Sequence, residues 1–121
     1  MVTIGYMDGT DPALLSKLAA ADVETIPISN GWDSHGKYIG HLSANDGIDA
    51  IIGYFHKFTT AKDSTMTPAD LLHACKEHGI KVFVIARKPD HAMVAKALGS
   101  AASNVTLITP RDTEKAVLGL L

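Results

Sequence analysis

Five short apolar runs alternate with helix-like stretches along the chain: Val2 to Met7, Val23 to Ser29, Ile48 to Phe55, Lys81 to Ala86 and Val105 to Thr109. Runs of this length, bounded by polar residues, predict strands. Ile51-Ile52 and Val82-Phe83-Val84-Ile85 are continuous rather than alternating. A strand with no polar face is buried on both sides, the condition inside a parallel sheet covered by helices.

The gaps carry helix signals. Pro12 to Ala21 follows Thr10-Asp11, with Pro12 suited to a first helical position and Leu14, Leu15, Leu18 and Ala19 on one apolar face. Thr67-Pro68-Ala69-Asp70 joins a cap, a proline and a first-turn acid at the start of a third helix, which Gly79 would close. A fourth helix is predicted from Pro89 or Asp90 to Leu98, ending at Gly99. Thr109-Pro110-Arg111-Asp112 repeats the start pattern ahead of the last helix. The second helix, around Lys37 to Ala44, is diluted by Gly36, Gly40 and Gly47.

A repeat of five strand–helix units predicts an α/β fold: a three-layer α/β/α sandwich around a doubly wound, parallel, five-stranded sheet. Pro27 has no N–H to give a neighbour, so its strand is expected at a sheet edge. In the order 2-1-3-4-5 the second strand is an edge, and that order is adopted. No linker or internal repeat divides the chain, so one domain over residues 1–121 is expected.

Composition narrows the functional classes. Hydrophobic residues make up 46% and charged residues 20% of the 121, which excludes a disordered chain. Eleven Lys and Arg stand against 13 Asp and Glu, for a net charge of -2, so non-specific nucleic-acid binding is not expected. No apolar run is long enough to span a bilayer, so no membrane partner is expected. Strand-like residues begin at Val2 with no basic and apolar leader, which predicts a cytoplasmic protein. The single cysteine, Cys75, excludes an intramolecular disulfide and a thiolate metal cage. Four residues after Leu71 on the third helix, it is expected to pack toward the sheet as a small hydrophobe.

In sheets of this kind ligands bind outside the carboxyl ends of the strands, where the strand order reverses. The loops at that rim hold Asp8, Thr10 and Asp11 after the first strand and Asn30 to His35 after the second. His56, Lys57, Thr59, Thr60 and Lys62 follow the third, Arg87 to His91 the fourth, and Pro110 to Asp112 the fifth. The link from His56 to Met66 is longer than an ordinary βα loop, as binding loops and lids are. Thr10, Lys57, Thr59, Thr60, Arg87 and Arg111 are the candidate ligand-binding residues: cations and hydroxyls close to helix N-termini suit a phosphate or carboxylate. Asp8, Asp11 and His56 are the candidate acid–base groups. The plainer account is that Asp11 caps the first helix and Asp8 pairs with Lys57. Two carboxylates beside a bare anion repel it, so a bridging cation or a positive group on the ligand is implied. Trp32, among the glycines of its loop, either packs on its own domain or anchors a partner subunit. Asp33, His35 and His41 have no established metal-ligand spacing, so no metal site is assigned.

In length and element order the chain resembles the flavodoxin-like and response-regulator superfold over nearly all of its length. The resemblance implies architecture and carries no function by itself. A receiver domain has a phosphoacceptor aspartate ending its third strand, where this chain has Phe55-His56-Lys57. The hydroxyl residue and lysine ending the next two strands are replaced by Ala86-Arg87 and Pro110-Arg111. A flavodoxin's phosphate loop is rich in hydroxyls, whereas Asp8-Gly9-Thr10-Asp11-Pro12 is acidic. Asp33-Ser34-His35 resembles the start of a cobalamin-binding motif but follows the second strand, and Tyr38 stands where that motif has glycine. No named family and no cofactor follows from the residues.

The expected function is therefore a small domain that binds an anionic small molecule at the rim. The alternatives are a small enzyme using Asp8 or Asp11 with His56, and a non-catalytic interaction module. A homodimer or larger homo-oligomer is also expected, because Leu118, Leu120 and Leu121 exceed what one inner helix face requires.

Overall fold

The computed structural model describes residues 2–31, 36–59 and 67–120. Among these residues six strands form one all-parallel sheet: β1 (Thr3–Met7), β2 (Glu24–Ser29), β3 (Lys37–Tyr38), β4 (Ala50–Tyr54), β5 (Lys81–Ile85) and β6 (Val105–Ile108). Their order is β3-β2-β1-β4-β5-β6, so the order reverses between β1 and β4. The helices are α1 (Pro12–Ala20), α2 (Pro68–Leu71), α3 (His73–Glu77), α4 (His91–Leu98) and α5 (Thr113–Leu118). Among the described residues no helix is long and apolar enough to cross a membrane.

Parallel strands leave no polar face, and the burial follows that rule. Ile51, Ile52 and Val84 are fully buried, alternating between the two sides of the sheet. One side packs Met7, Ile28, Ile51, Val82 and Val84 under Leu71 of α2, Leu72 between α2 and α3, Cys75 of α3, and Val94 and Leu98 of α4. The other packs Ile4, Ile52, Phe83, Ile85 and Ile108 against Leu14 and Leu18 of α1 and Val117 of α5. Each such side chain contributes about 1.5–3 kcal/mol by leaving water. Cys75 is buried toward the sheet, as its place four residues after Leu71 predicts.

Five of the strands occupy the predicted runs in the predicted relative order. Two expectations are corrected. The sheet has a sixth strand, because β3 pairs with Ile28 and Ser29, so the strand from Val23 to Ser29 is not an edge along its whole length. Pro27 is compatible with this because the two-residue ladder begins just after it. Gly36 makes the approach feasible: its φ is +87°, and a Cβ there would lie 2.2 Å from the Pro27 carbonyl oxygen. The second correction concerns the helix expected over Lys37 to Ala44. That stretch instead forms β3 and two 3-10 turns, Ile39–His41 and Ala44–Asp46. Ile39 and Leu42 still reach the core from there, so burial is achieved without a helix.

Helix starts follow their local chemistry. The Asp11 carboxylate accepts from the Ala13 N–H at the start of α1. At α2, the Thr67 hydroxyl accepts from the Asp70 N–H while the Asp70 carboxylate accepts from the Thr67 N–H. The Thr67 N–H, and after it the Thr67 hydroxyl, hold the Asp70 carboxyl below the usual carboxylate range. The third helix is broken at Leu72, where α2 ends and α3 begins.

Candidate functional site

The carboxyl ends of the strands bring most of the singled-out residues to one rim, but they divide into two groups. The first sits at the reversal point between β1 and β4. There the Lys57 ammonium lies 3.5 Å from the Asp8 carboxylate, with the lysine side chain only 18% exposed. The side-chain amide of Asn30, at the end of β2, donates to the Lys57 carbonyl at 3.2 Å. Asn30 is 1% exposed, so this bond satisfies a group that would be costly to bury unpaired. Thr10 is also buried, and its hydroxyl donates to the Met7 carbonyl at 2.7 Å. Thr59 donates to the His56 carbonyl at 2.9 Å. Below these groups Phe58, fully buried, pins the loop after β4 to the core.

The second group lines two neighbouring cavities over the ends of β4, β5 and β6. Tyr54, Ile85 and Pro110 border both. The cavity toward α1 and α5 has a volume of about 210 Å³ and is completed by Asp11, Ala13, Leu14, Lys17, Arg111, Thr113 and Glu114. The cavity toward α4 has about 240 Å³ and is completed by Phe55, His56, Ala86, Arg87, Asp90, Met93 and Val94. Its lining is mainly apolar, and Met93, 54% exposed, stands on its wall.

Electrostatics separate the cations of this rim. Lys17 pairs with Glu114 at 3.3 Å, and Arg87 with Asp90 at 3.5 Å, both on exposed surface where such pairs add little stability. Arg111 makes no hydrogen bond or ion pair with any described residue. The Tyr54 hydroxyl likewise has no described partner, while its ring stacks on His56 with centroids 6.2 Å apart. His91 is held by a 2.8 Å hydrogen bond between its Nε2 and the Ala86 carbonyl, which fixes the start of α4 beside the second cavity.

Each candidate among the described residues therefore has a definite place. Asp8 is ion-paired with Lys57, and Asp11 caps α1 through one carboxylate oxygen. His56 is exposed and stacked on Tyr54, and no hydrogen bond joins it to Asp8 or Asp11. Thr10, Lys57 and Thr59 belong to the tied corner, and Arg87 and Arg111 to the two cavities. Thr60 and Lys62 lie outside the described residues, as do Trp32, Asp33, His35 and Leu121. Among the described residues no three His, Cys, Asp or Glu side chains gather as a metal set. Burial pushes the Cys75 thiol up to about 12, which keeps it neutral and unreactive at physiological pH.

Tyr54 and Asn30 are the contributors that motif spacing misses. Tyr54 shares its strand face with Ile52 and ends β4, so an aromatic at the last position of a buried strand is the signal that points to it. Asn30 follows directly on β2, and a lone amide there resembles ordinary turn chemistry until its burial is known.

No family model matches the chain, and no curated protein matches it.

Proposed function

We propose that this chain is a small-molecule-binding domain whose anionic ligand sits over the carboxyl ends of β4, β5 and β6. The observation that carries the reading is Arg111: a guanidinium on the wall of a cavity of about 210 Å³ with no ion-pair partner among the described residues. Arg presents a planar fork that matches carboxylate and phosphate oxygens, and an uncommitted one on a concave surface suits anion capture. Arg87 and His56 stand on the neighbouring cavity, where a longer ligand would reach them. Lys57 acts in this reading as a positioning group, its ammonium engaged with Asp8.

Acid–base catalysis by Asp8 or Asp11 with His56 is less well supported, because no hydrogen bond joins either carboxylate to that imidazole. The geometry also weakens the basis for a homo-oligomer. Leu118 and Leu120 are half-buried against the chain's own core, and Met93 is the only large hydrophobic side chain exposed among the described residues.

Calorimetric titration with a panel of carboxylated and phosphorylated small molecules tests the reading, using the wild type, Arg111→Ala and Lys57→Ala. A hydrogen bond to a charged group is worth about 1.5–3 kcal/mol, so Arg111→Ala should weaken binding by about tenfold or more. Absence of binding by every anion at millimolar concentration overturns the proposal. So does an affinity that Arg111→Ala leaves unchanged.

A further inference from the structure

We infer that the cavity between α1 and α5 takes a zwitterion of the α-amino-acid type. The inference rests on the anion-binding reading above and adds the ligand's second charge. Two groups of opposite sign border this cavity without forming an ion pair with each other: the Arg111 guanidinium and the Asp11 carboxylate. They come from different loops, after β6 and after β1. One oxygen of Asp11 accepts from the Ala13 N–H at 2.9 Å, and the other has no described partner. The remaining charges on the wall, Lys17 and Glu114, neutralise each other at 3.3 Å.

A bare anion bound at Arg111 shares the cavity with the Asp11 carboxylate, and a bare amine at Asp11 shares it with Arg111. Either arrangement sets one like charge near the ligand, which lowers affinity. A molecule carrying both an ammonium and a carboxylate answers both walls at once. Most of the lining is polar, Leu14 and Ile85 supply its buried apolar part, and the Tyr54 hydroxyl, with no partner among the described residues, offers one neutral polar contact. That combination suits an uncharged, largely aliphatic side chain. Selectivity against ligands lacking either charge then arises from the wall left unanswered.

The test is an NMR titration of the full chain with the twenty L-amino acids. L-leucine is set beside 4-methylpentanoate, which lacks the amine, and 3-methylbutylamine, which lacks the carboxylate. Inorganic phosphate and citrate serve as simple anions. Asp11→Ser removes the charge while retaining a residue able to cap α1. At least one amino acid with an uncharged aliphatic side chain should bind, shifting the amides of residues 11, 13, 14, 54 and 111, and at least about tenfold more tightly than its deaminated or decarboxylated analogue. Asp11→Ser should remove that advantage over the deaminated acid while leaving the acid's own affinity unweakened. If 4-methylpentanoate binds as well as L-leucine and Asp11→Ser changes neither, the zwitterion inference is overturned while the anion-binding reading stands. Binding of the amine alone, or of simple anions but no amino acid, also overturns it. If no amino acid and no anion binds at 10 mM probe, both readings fail together.

Discussion

Gly53 is a position inside the sheet where a single added methyl group has no room. The register between β1 and β4 sets Gly5 opposite Ile51, and on the same side of the sheet Met7 fills the space over Gly53. A Cβ at Gly53 would lie 2.5 Å from the Met7 Cγ, 2.7 Å from its Cβ and 3.1 Å from the Phe58 Cε2. The Met7 Cγ can swing away, but the Cβ is fixed to the β1 backbone and moves only if the strand does. Overpacking of this kind costs about 1–3 kcal/mol. Removing a strand glycine returns about 0.5–1 kcal/mol in backbone entropy. The net destabilisation of Gly53→Ala is then about 0–2.5 kcal/mol, with its centre just above 1 kcal/mol. With a urea slope of about 1–3 kcal/mol per M, the unfolding midpoint should fall by about 1 M. Gly47 supplies the contrast: its φ is +68° and nothing lies within 4 Å of a Cβ there. Gly47→Ala should cost only the backbone penalty of about 1–2 kcal/mol, and Gly47→Asn less, since asparagine tolerates that conformation. Gly53→Asn should be worse than Gly53→Ala. An unchanged or raised midpoint for Gly53→Ala would refute the argument, because the strand would then have room that the contacts deny.

Further outcomes follow from burial and capping. Cys75 should resist iodoacetamide at pH 8.5 in the native state and react only as the chain unfolds. Its thiol is raised to about 12, so the fold favours the neutral form; that contribution is complete below the ordinary thiol range and is lost as pH climbs toward the folded value. Thr67→Ala should lower stability by about 1 kcal/mol in chemical denaturation through loss of the α2 cap. Asp70 titrates below its usual range, so its contribution is present above that range and disappears as the solution is acidified through the folded value; Asp70→Asn should flatten this acid limb in a pH series of denaturation curves. Leu18→Ala, at a fully buried position of α1, should cost about 2–5 kcal/mol by the same assay.

The strands are legible in the sequence because their cause is local: a run such as Val82-Phe83-Val84-Ile85 has no polar face and can satisfy itself only between two layers. β3 is not legible for the opposite reason. Lys37-Tyr38 has no periodicity, and its pairing depends on where Ile28 and Ser29 lie in space. Asp11 and Thr67 declare their capping roles through the prolines that follow them. The rim's charges can be read in order along the chain, but their partners cannot. Lys57 and Arg111 are alike as cations after strands, yet one is paired with Asp8 and the other borders a cavity with no ion-pair partner among the described residues. That difference comes from three-dimensional neighbours at separations no spacing rule covers.

The ties at the reversal point have a mechanical meaning. Lys57 belongs to the loop after β4, its ammonium reaches the loop after β1, and its carbonyl receives the Asn30 amide from the end of β2. Three connections that are far apart in sequence are thus fastened to a single residue, over strands that are neighbours in the sheet. Opening any one of them strains the other two, so this corner should breathe as one cooperative unit and exchange its amide hydrogens with a shared free energy. The ends of β5 and β6 lie outside that knot. Movement at those ends would act on the cavities without drawing on the three ties of the corner.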